Sequence, residues 1–563
     1  MAIKSITPEQ ILNSQGHPTL KVKMTADNDM SSYFVVSSGT SIGNNEAQKK
    51  TDATASYDGK SVNACIDLIN KVIAPKFIGY PLDHQQDFDS LLIALDGTEN
   101  KQNLGANTIL AMSGAYFKLS AKLSKKPLWQ YIAEKQNTNP RFPRIFANII
   151  AGGKHAPGLD IQEFMIIPKS EKPVEAIEQI VQIYNTVKTI MISLYGPTAR
   201  LVSEEGAIAP VGARTEVVLE ALANLNSKLT NKFDIALDIA ANSFFDGQQY
   251  SFEGQNLHAS DLLKIYQQFE TKFDIYSLED PFAEKDIEGI ELLKTMPKDK
   301  KSFKVISDDY TATNPKLITQ FGQDKIFDGI IIKPDQVGSI SEMFSAVTTA
   351  KQLNQEIIIS HRSGESNDGF IVDLAYGLGA DGIKIGAPAR GERIAKYNRL
   401  LEIQYSLESL QTKAPEPTSP QPTLIQEQTI ARPQITEKTN LPEPNLSLNI
   451  ADKTETKLSS DVPVKTPPEP INTQLQTELQ RPIDTNTAPP ESATSVDKMQ
   501  DISQKNTGPS IENVTTSSNQ EFDHFRSKNT GSSMADQYKT PGSVAPNSEK
   551  EDGPNPLQPL ASL

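Results

Sequence analysis

From residue 162 to about 405 the chain alternates two apolar rhythms. Short runs at Phe164–Ile167, Ile235–Ile239, Ile275–Leu278, Phe303–Ile306, Gly329–Ile332, Glu356–Ile359 and Gly382–Ile385 have the length and β-branched content of buried strands. Between them apolar residues recur at helical spacing. In 340–353 these are Ile340, Met343, Phe344, Val347 and Ala350, and the segment opens with Ser339 and Glu342 at capping-box spacing. Asn314-Pro315 offers a cap followed by a residue suited to a first helical turn. Such alternation predicts a parallel αβ barrel or a doubly wound sheet over 136–405. Residues 1–135 keep a different rhythm, with strand-like runs near 20–24 and 33–36 and then a helical pattern over 104–123. They predict a separate α+β domain.

Beyond residue 411 the pattern is lost. Of 37 prolines in the chain, 20 lie there, with only three aromatics, Phe522, Phe525 and Tyr538. A segment so poor in apolar surface cannot offset the entropy of ordering it, so 411–563 is expected to be a disordered tail. It contains no repeat or basic block, and reads as an inert extension before it reads as a docking arm for an unknown partner. The apolar content of the whole, 37%, is low for the same reason.

Charge and cysteine content narrow the chemistry. Acidic residues outnumber basic ones, 70 to 55, for a net charge of −15. A negative chain repels nucleic acid and anionic lipid, so neither is an expected partner. A lone cysteine, Cys65, excludes an internal disulfide and a cysteine-built zinc site. The first residues lack the apolar core of a signal peptide, and no run is long enough to span a bilayer. A cytoplasmic protein without membrane insertion is expected.

The strand-like runs end on ionisable residues: Asp238, Glu279, Asp308, Lys333 and His361, with Lys384 inside the last run. One such residue is ordinarily the start of a loop. Six at successive strand ends would converge on one face of a parallel barrel. Three carboxylates placed together need a cation, and an oxygen-only donor set suits a hard ion, magnesium (Mg2+) first. A lysine among cations can release its proton and act as a base. Arg362, Ser363 and Gly364 beside His361 bring a guanidinium fork, a hydroxyl and a permissive backbone, a combination suited to phosphate. The competing reading is a salt-bridge network that only stabilises the barrel mouth.

These residues resemble the enolase family across essentially all of 1–405. The resemblance is carried by Ser38-Gly39-Thr40-Ser41-Ile42-Gly43, by Leu95-Asp96-Gly97-Thr98-Glu99-Asn100-Lys101 with Leu104-Gly105-Ala106-Asn107, by Ser277-Leu278-Glu279-Asp280-Pro281 with Ser307-Asp308-Asp309, and by Ser360-His361-Arg362-Ser363-Gly364-Glu365. It implies an α+β capping domain on an αβ barrel of modified strand order, and dehydration of 2-phosphoglycerate to phosphoenolpyruvate in glycolysis. It also implies roles. Asp238, Glu279 and Asp308 would hold a first magnesium, with Ser41 helping to hold a second. Lys333 would take the proton and Glu205 would protonate the departing hydroxyl. Lys384 would stabilise the dianionic intermediate, as cations do in enolase-superfamily sites. His155, Arg362 and Ser363 would address phosphate, Gln162 and Glu163 the hydroxyl side, and His361 would belong to the same substrate site. A homodimer, and a secondary cell-surface presence, are implied by resemblance alone.

The surroundings depart from the family pattern. Ser203-Glu204-Glu205-Gly206-Ala207 replaces a glycine-richer acid loop, and Ala151 stands for an asparagine. Asp335 also stands for an asparagine, adding a negative charge expected to raise the pKa of Lys333. Asn242-Ser243 replaces Ser-Glu after the first metal strand. Lys21 and Glu402 reverse the polarity usual at the dimer contact, which predicts an intersubunit Lys21–Glu402 pair. Three readings follow in order: an active phosphopyruvate hydratase, an impaired enolase-like binding or scaffold protein working through its tail, and a superfamily relative acting on another acid.

Overall fold

The computed structural model describes residues 1–412, apart from 40–42, 44, 53 and 296–302. Ser41 and the tail beyond residue 412, with the expectations attached to them, lie outside the described residues.

The first 136 residues build an antiparallel sheet, β1 (Ile3–Leu12), β2 (Pro18–Ala26) and β3 (Ser31–Val35), in that order. The helix Ala106–Leu123 packs on β2 and β3 with one side. Its other side meets the barrel helices Pro334–Val337 and Ile340–Gln352. Being covered on both sides, it is apolar nearly all round, as buried helices are. The strand β1 carries too few apolar residues to stand out in the sequence. It forms because β2 pairs with it in register from Ser5 to Leu12, while Gly79 and Tyr80 hold the backbone of Ile3.

Eight strands close the barrel. They are β4 (Arg144–Ala151), β5 (Glu163–Pro168), β6 (Phe233–Asp238), β9 (Ile275–Glu279), β10 (Lys304–Ser307), β11 (Gly329–Ile332), β12 (Glu356–Ser360) and β13 (Gly382–Lys384). A hairpin, β7 (Tyr250–Phe252) and β8 (Gln255–Leu257), stands apart from them. The order around the barrel is β10-β11-β12-β13-β4-β5-β6-β9. The all-parallel expectation needs one correction, because β5 runs antiparallel to both β4 and β6. The short 152–162 link folds β5 straight back on β4, and a link of that length leaves no room for the crossover helix a parallel pair needs.

Strand residues alone make a second apolar cluster, Phe146, Met165, Ile167, Ala236, Ile306, Ile331 and Ile358, distinct from the main core. These side chains plug the barrel. Because side chains on one strand face repeat every second residue, the next inward positions toward the carboxyl end are Asn148, Asp238, Asp308, Lys333 and Ser360. On the reversed strand β5 the corresponding step runs backwards, from Met165 to Glu163. The polar site therefore sits directly above the apolar plug.

The helix Ile340–Gln352 opens as its sequence predicts. The Ser339 hydroxyl accepts the backbone N–H of Glu342 at 3.2 Å and donates to the Glu342 carboxylate at 2.5 Å. Glu342 in turn pairs with Lys101 of the capping domain at 2.8 Å. Ser339→Ala should cost about 1 kcal/mol of stability. Urea unfolding would read this as a lower midpoint at unchanged slope, and an unshifted midpoint would refute it.

Candidate active site at the barrel mouth

Lys384 occupies the centre of the site. Its ammonium lies 3.1 Å from Glu163, 3.2 Å from Asp238 and 2.9 Å from Glu279. Lys333 pairs with Asp308. Burial alone would strip the proton from either lysine, but the surrounding carboxylates outweigh it and hold both well above the ordinary lysine range. Asp335 does interact with Lys333 electrostatically, as its charge predicts, but Asp308 is the larger influence on the base. The anion beside the base is Asp308, whereas Asp335 turns to Arg362 at 2.9 Å and to Lys49 at 2.8 Å.

Six buried carboxylates, Glu163, Glu205, Asp238, Glu279, Asp280 and Asp308, crowd this mouth around two ammonium groups. Burial, with its anionic neighbours, pushes the Glu163 and Glu279 carboxyls well above their usual range. A site that must protonate its own acids is short of positive charge. Its oxygen donors suit a hard divalent cation, so the residues present fit a metal of that class. In this arrangement the oxygens of Asp280, Asp308 and Asp309 gather within 4.8 Å of one another, as do donor atoms of His155, Glu163 and Glu205. Asp238, Glu279 and Asp308 face the same space, but Lys384 bridges the first two and Lys333 the third.

Glu205 is held by a relay. Arg393 is fully buried, and its guanidinium nitrogen lies 2.6 Å from Nδ1 of His361. A guanidinium can only donate, so Nδ1 accepts and the imidazole proton sits on Nε2. That nitrogen lies 3.3 Å from Oε1 of Glu205. Burial pushes His361 down to about 4, which keeps the ring neutral at neutral pH. Burial would raise Glu205 as well, but its interactions with His361 and His155, the hydrogen bond from His361 and the charge of Arg393 together outweigh it and hold the carboxyl well below its usual range. Asn148 adds a hydrogen bond from its amide to Oε2 at 3.2 Å. The resting proton of the Glu163–Glu205 pair thus belongs on Glu163.

The loop that carries Glu205 retains the one glycine it needs. Gly206 has φ of +83°, and a Cβ there would come within 2.7 Å of the Ala389 carbonyl. Ala207 lies outside the left-handed region, so the freedom lost by alanine at this position is not required. Asn242 also finds work, bridging Asp309 at 3.2 Å and the Glu284 amide at 3.1 Å. Gln162 donates to Asp238 at 3.3 Å, His155 stands 3.9 Å from Glu163 and 3.7 Å from Glu205, and Ser363 lines the same cavity as Arg362. Gly39 lies against Arg362 so closely that a Cβ would overlap the guanidinium.

Every sequence-derived site residue among the described residues lines or borders this mouth, and Ser41 lies outside the described residues. Lys21 and Glu402 lie elsewhere and have partners within the chain, Glu9 at 2.8 Å and Arg399 at 2.9 Å. Sequence reasoning missed Asn148, Glu46, Arg393 and Asp309. Asn148 was detectable as the one polar residue inside the apolar run 145–151. Arg393 shares helical spacing with Tyr397 and Leu400, so a charge at an apolar position was its signal.

Fold and site together define a metal-assisted lyase class: a capped barrel whose mouth sets lysines among carboxylates. Residues 3–132 match the family model described as Enolase, N-terminal domain, and 140–415 match Enolase, C-terminal TIM barrel domain. A relative named Enolase from Thermococcus kodakarensis is 38% identical over 417 residues, covering 72% of this chain and 96% of the relative. Relatives of the same name from Mastigamoeba balamuthi and Methanocaldococcus jannaschii are 36% and 35% identical, with 72% of this chain and 96% and 95% of the relatives covered. The chain belongs to the enolase family, the phosphopyruvate hydratases, which are lyases.

The His361 shift predicts a stability profile. Its folded pKa, about 4, lies below the 6.5 of the free ring. The contribution is therefore complete above the unfolded value and is lost as pH falls toward the folded one, a difference of about 3 kcal/mol. Between pH ~7 and pH ~4, wild type should lose about 3 kcal/mol more unfolding free energy than His361→Gln. Equal losses in urea titrations would refute the assignment.

Proposed function

We propose that the chain catalyses the reversible, magnesium-dependent dehydration of 2-phospho-D-glycerate to phosphoenolpyruvate in glycolysis, acting in the cytoplasm as a homodimer. The observation that carries this reading is the pairing of Lys333 and Lys384 with buried carboxylates on one side of the mouth and Arg362 with Ser363 on the other. A base, an anion-stabilising charge and a phosphate receptor are what this reaction requires.

Deprotonation beside a carboxylate concentrates negative charge, and fixed cations are what make it accessible. Asp238, Glu279 and Asp308 would hold the magnesium, which when bound would supply such charge. Lys333 Nζ then takes the proton from the carbon bearing phosphate. Lys384, anchored by Glu163, Asp238 and Glu279, stabilises the dianionic intermediate. Glu205 hands a proton to the departing hydroxyl, drawing on its neighbour Glu163, while the Nε2–H of His361 fixes its orientation. Arg362, Ser363 and His155 receive the phosphate, and Gln162 orients the hydroxyl side. Ser41 is assigned to a second magnesium by resemblance.

A second reading, an impaired enolase-like scaffold, is favoured by one observation. Arg362 already donates to Glu46 at 3.0 Å and to Asp335 at 2.9 Å. Purified protein given magnesium and 2-phosphoglycerate decides between the two by the ultraviolet absorbance of the enol product. Turnover is expected, with Lys333→Ala lowering kcat by about 10³-fold. A folded, magnesium-binding protein without turnover would leave only the scaffold. Truncation after residue 410 should leave the rate unchanged, and a collapse would assign the tail a catalytic role.

A further inference from the structure

Four charged side chains form a closed group on the phosphate side of the mouth. Arg362 donates one nitrogen to Asp335 at 2.9 Å and the other to Glu46 at 3.0 Å. Lys49 reaches the same Asp335 oxygen at 2.8 Å, and stands 4.0 Å from Glu46. Arg362, Glu46 and Asp335 are all buried, and Lys49 is nearly so, at 13% side-chain exposure. Two cations and two anions balance.

The balance matters because Arg362 cannot serve an incoming anion while it neutralises buried carboxylates alone. Charges in such a site are weakly screened, and an unpaired buried anion is costly. Among the described residues, the second oxygen of Asp335, Oδ1, is buried without a hydrogen-bond partner, and its other oxygen meets both Lys49 and Arg362. Remove Lys49, and the whole burden of Asp335 falls on Arg362, directly against a phosphate. Remove Asp335 as well, and that added burden on Arg362 is gone.

We propose that Lys49 and Asp335 act as one charge-compensated positioning pair that sets how strongly Arg362 accepts the substrate's phosphate. Lys49 carries the Asp335 charge, and this frees the guanidinium to exchange partners when phosphate arrives. The pair sets affinity and not the proton transfer, since neither residue reaches Lys333 Nζ or Glu205 by hydrogen bond among the described residues. This inference rests on the phosphate-side reading of Arg362 in the proposed function.

Two readouts separate the claims: KM and kcat for 2-phosphoglycerate, and the dissociation constant of inorganic phosphate by calorimetry. Lys49→Met should raise both KM and the phosphate constant by about tenfold, ~1.4 kcal/mol, with kcat much less affected. Lys49→Arg should restore binding, and Asp335→Asn should rescue the Lys49→Met defect in the double variant, a coupling that a merely structural lysine would not give. An unaffected Lys49→Met, or a double variant as weak as Lys49→Met, would overturn the proposal. If Lys49→Met does not fold, the double variant is compared with Asp335→Asn: equal phosphate affinities support the pair, and a weaker double variant refutes it. Wild type that turns over without the coupled pattern keeps the function and loses the pair. Wild type that binds phosphate with the pattern but does not turn over keeps the pair and loses the function. Wild type that does neither overturns both.

Discussion

The ammonium of Lys384 is shared among Glu163, Asp238 and Glu279, and the barrel mouth is organised around that sharing. Burying one carboxylate without a partner is costly enough that the group protonates instead. Burying six around two lysines forces a compromise. Glu163 and Glu279 are pushed toward their neutral forms, Lys333 is locked to Asp308, and Glu205 is handed to a separate set of donors. Each outcome is the ordinary response of a buried charge to its neighbours. Together they leave a mouth that is stable as built and short of positive charge. A hard cation and an anionic substrate arriving together would complete it.

Two arms flank this centre and obey different electrostatic rules. On the Glu205 side the chain Arg393, His361, Glu205 passes hydrogen bonds in one direction, each donor fixed by the one before. Its middle member is neutral, so it orients without adding charge. On the Arg362 side every member is charged and the group is balanced by number. The first arm suits a residue that must present a proton in one direction. The second suits a receptor that must exchange one anion for another.

Much of this was legible because barrel strands repeat with a period of two. On three strands the residue two beyond a plug residue is ionisable, so Asp238, Asp308 and Lys333 stood where a strand emerges from the core. The reversal of β5 was not legible from periodicity, since an apolar run has no direction; only the short 152–162 link carries that information. The strand β1 was hidden because it is half polar and takes its hydrogen bonds from β2. Arg393 was overlooked for a different reason: its spacing with Tyr397 and Leu400 marks a buried face, but a lone charge on a polar-looking helix is easily read as exposed. The influence of Asp335 on the base is present but secondary to that of Asp308. Its place in sequence, two residues from Lys333, suggested contact with the base, but the helix Pro334–Val337 begins immediately after that lysine and turns the carboxylate toward Arg362.

Charge changes around such a site are tolerated only when a partner changes the local balance with them. A buried acid beside a guanidinium lowers the free energy of the empty site and raises the cost of binding another anion, because the same donor serves both. The expense is avoided when a second cation holds the acid in place during the exchange, as Lys49 is positioned to do. The same principle governs Asn242, whose amide meets Asp309 while its carbonyl caps the Glu284 amide, and so supports an acid without adding another charge. In both places the altered residue is matched to a neighbour within hydrogen-bonding reach. The first-contact geometry of Lys333, Lys384 and the strand-end carboxylates is thus supported by a differently charged surround, and it is that surround which tunes how readily phosphate displaces carboxylate at Arg362.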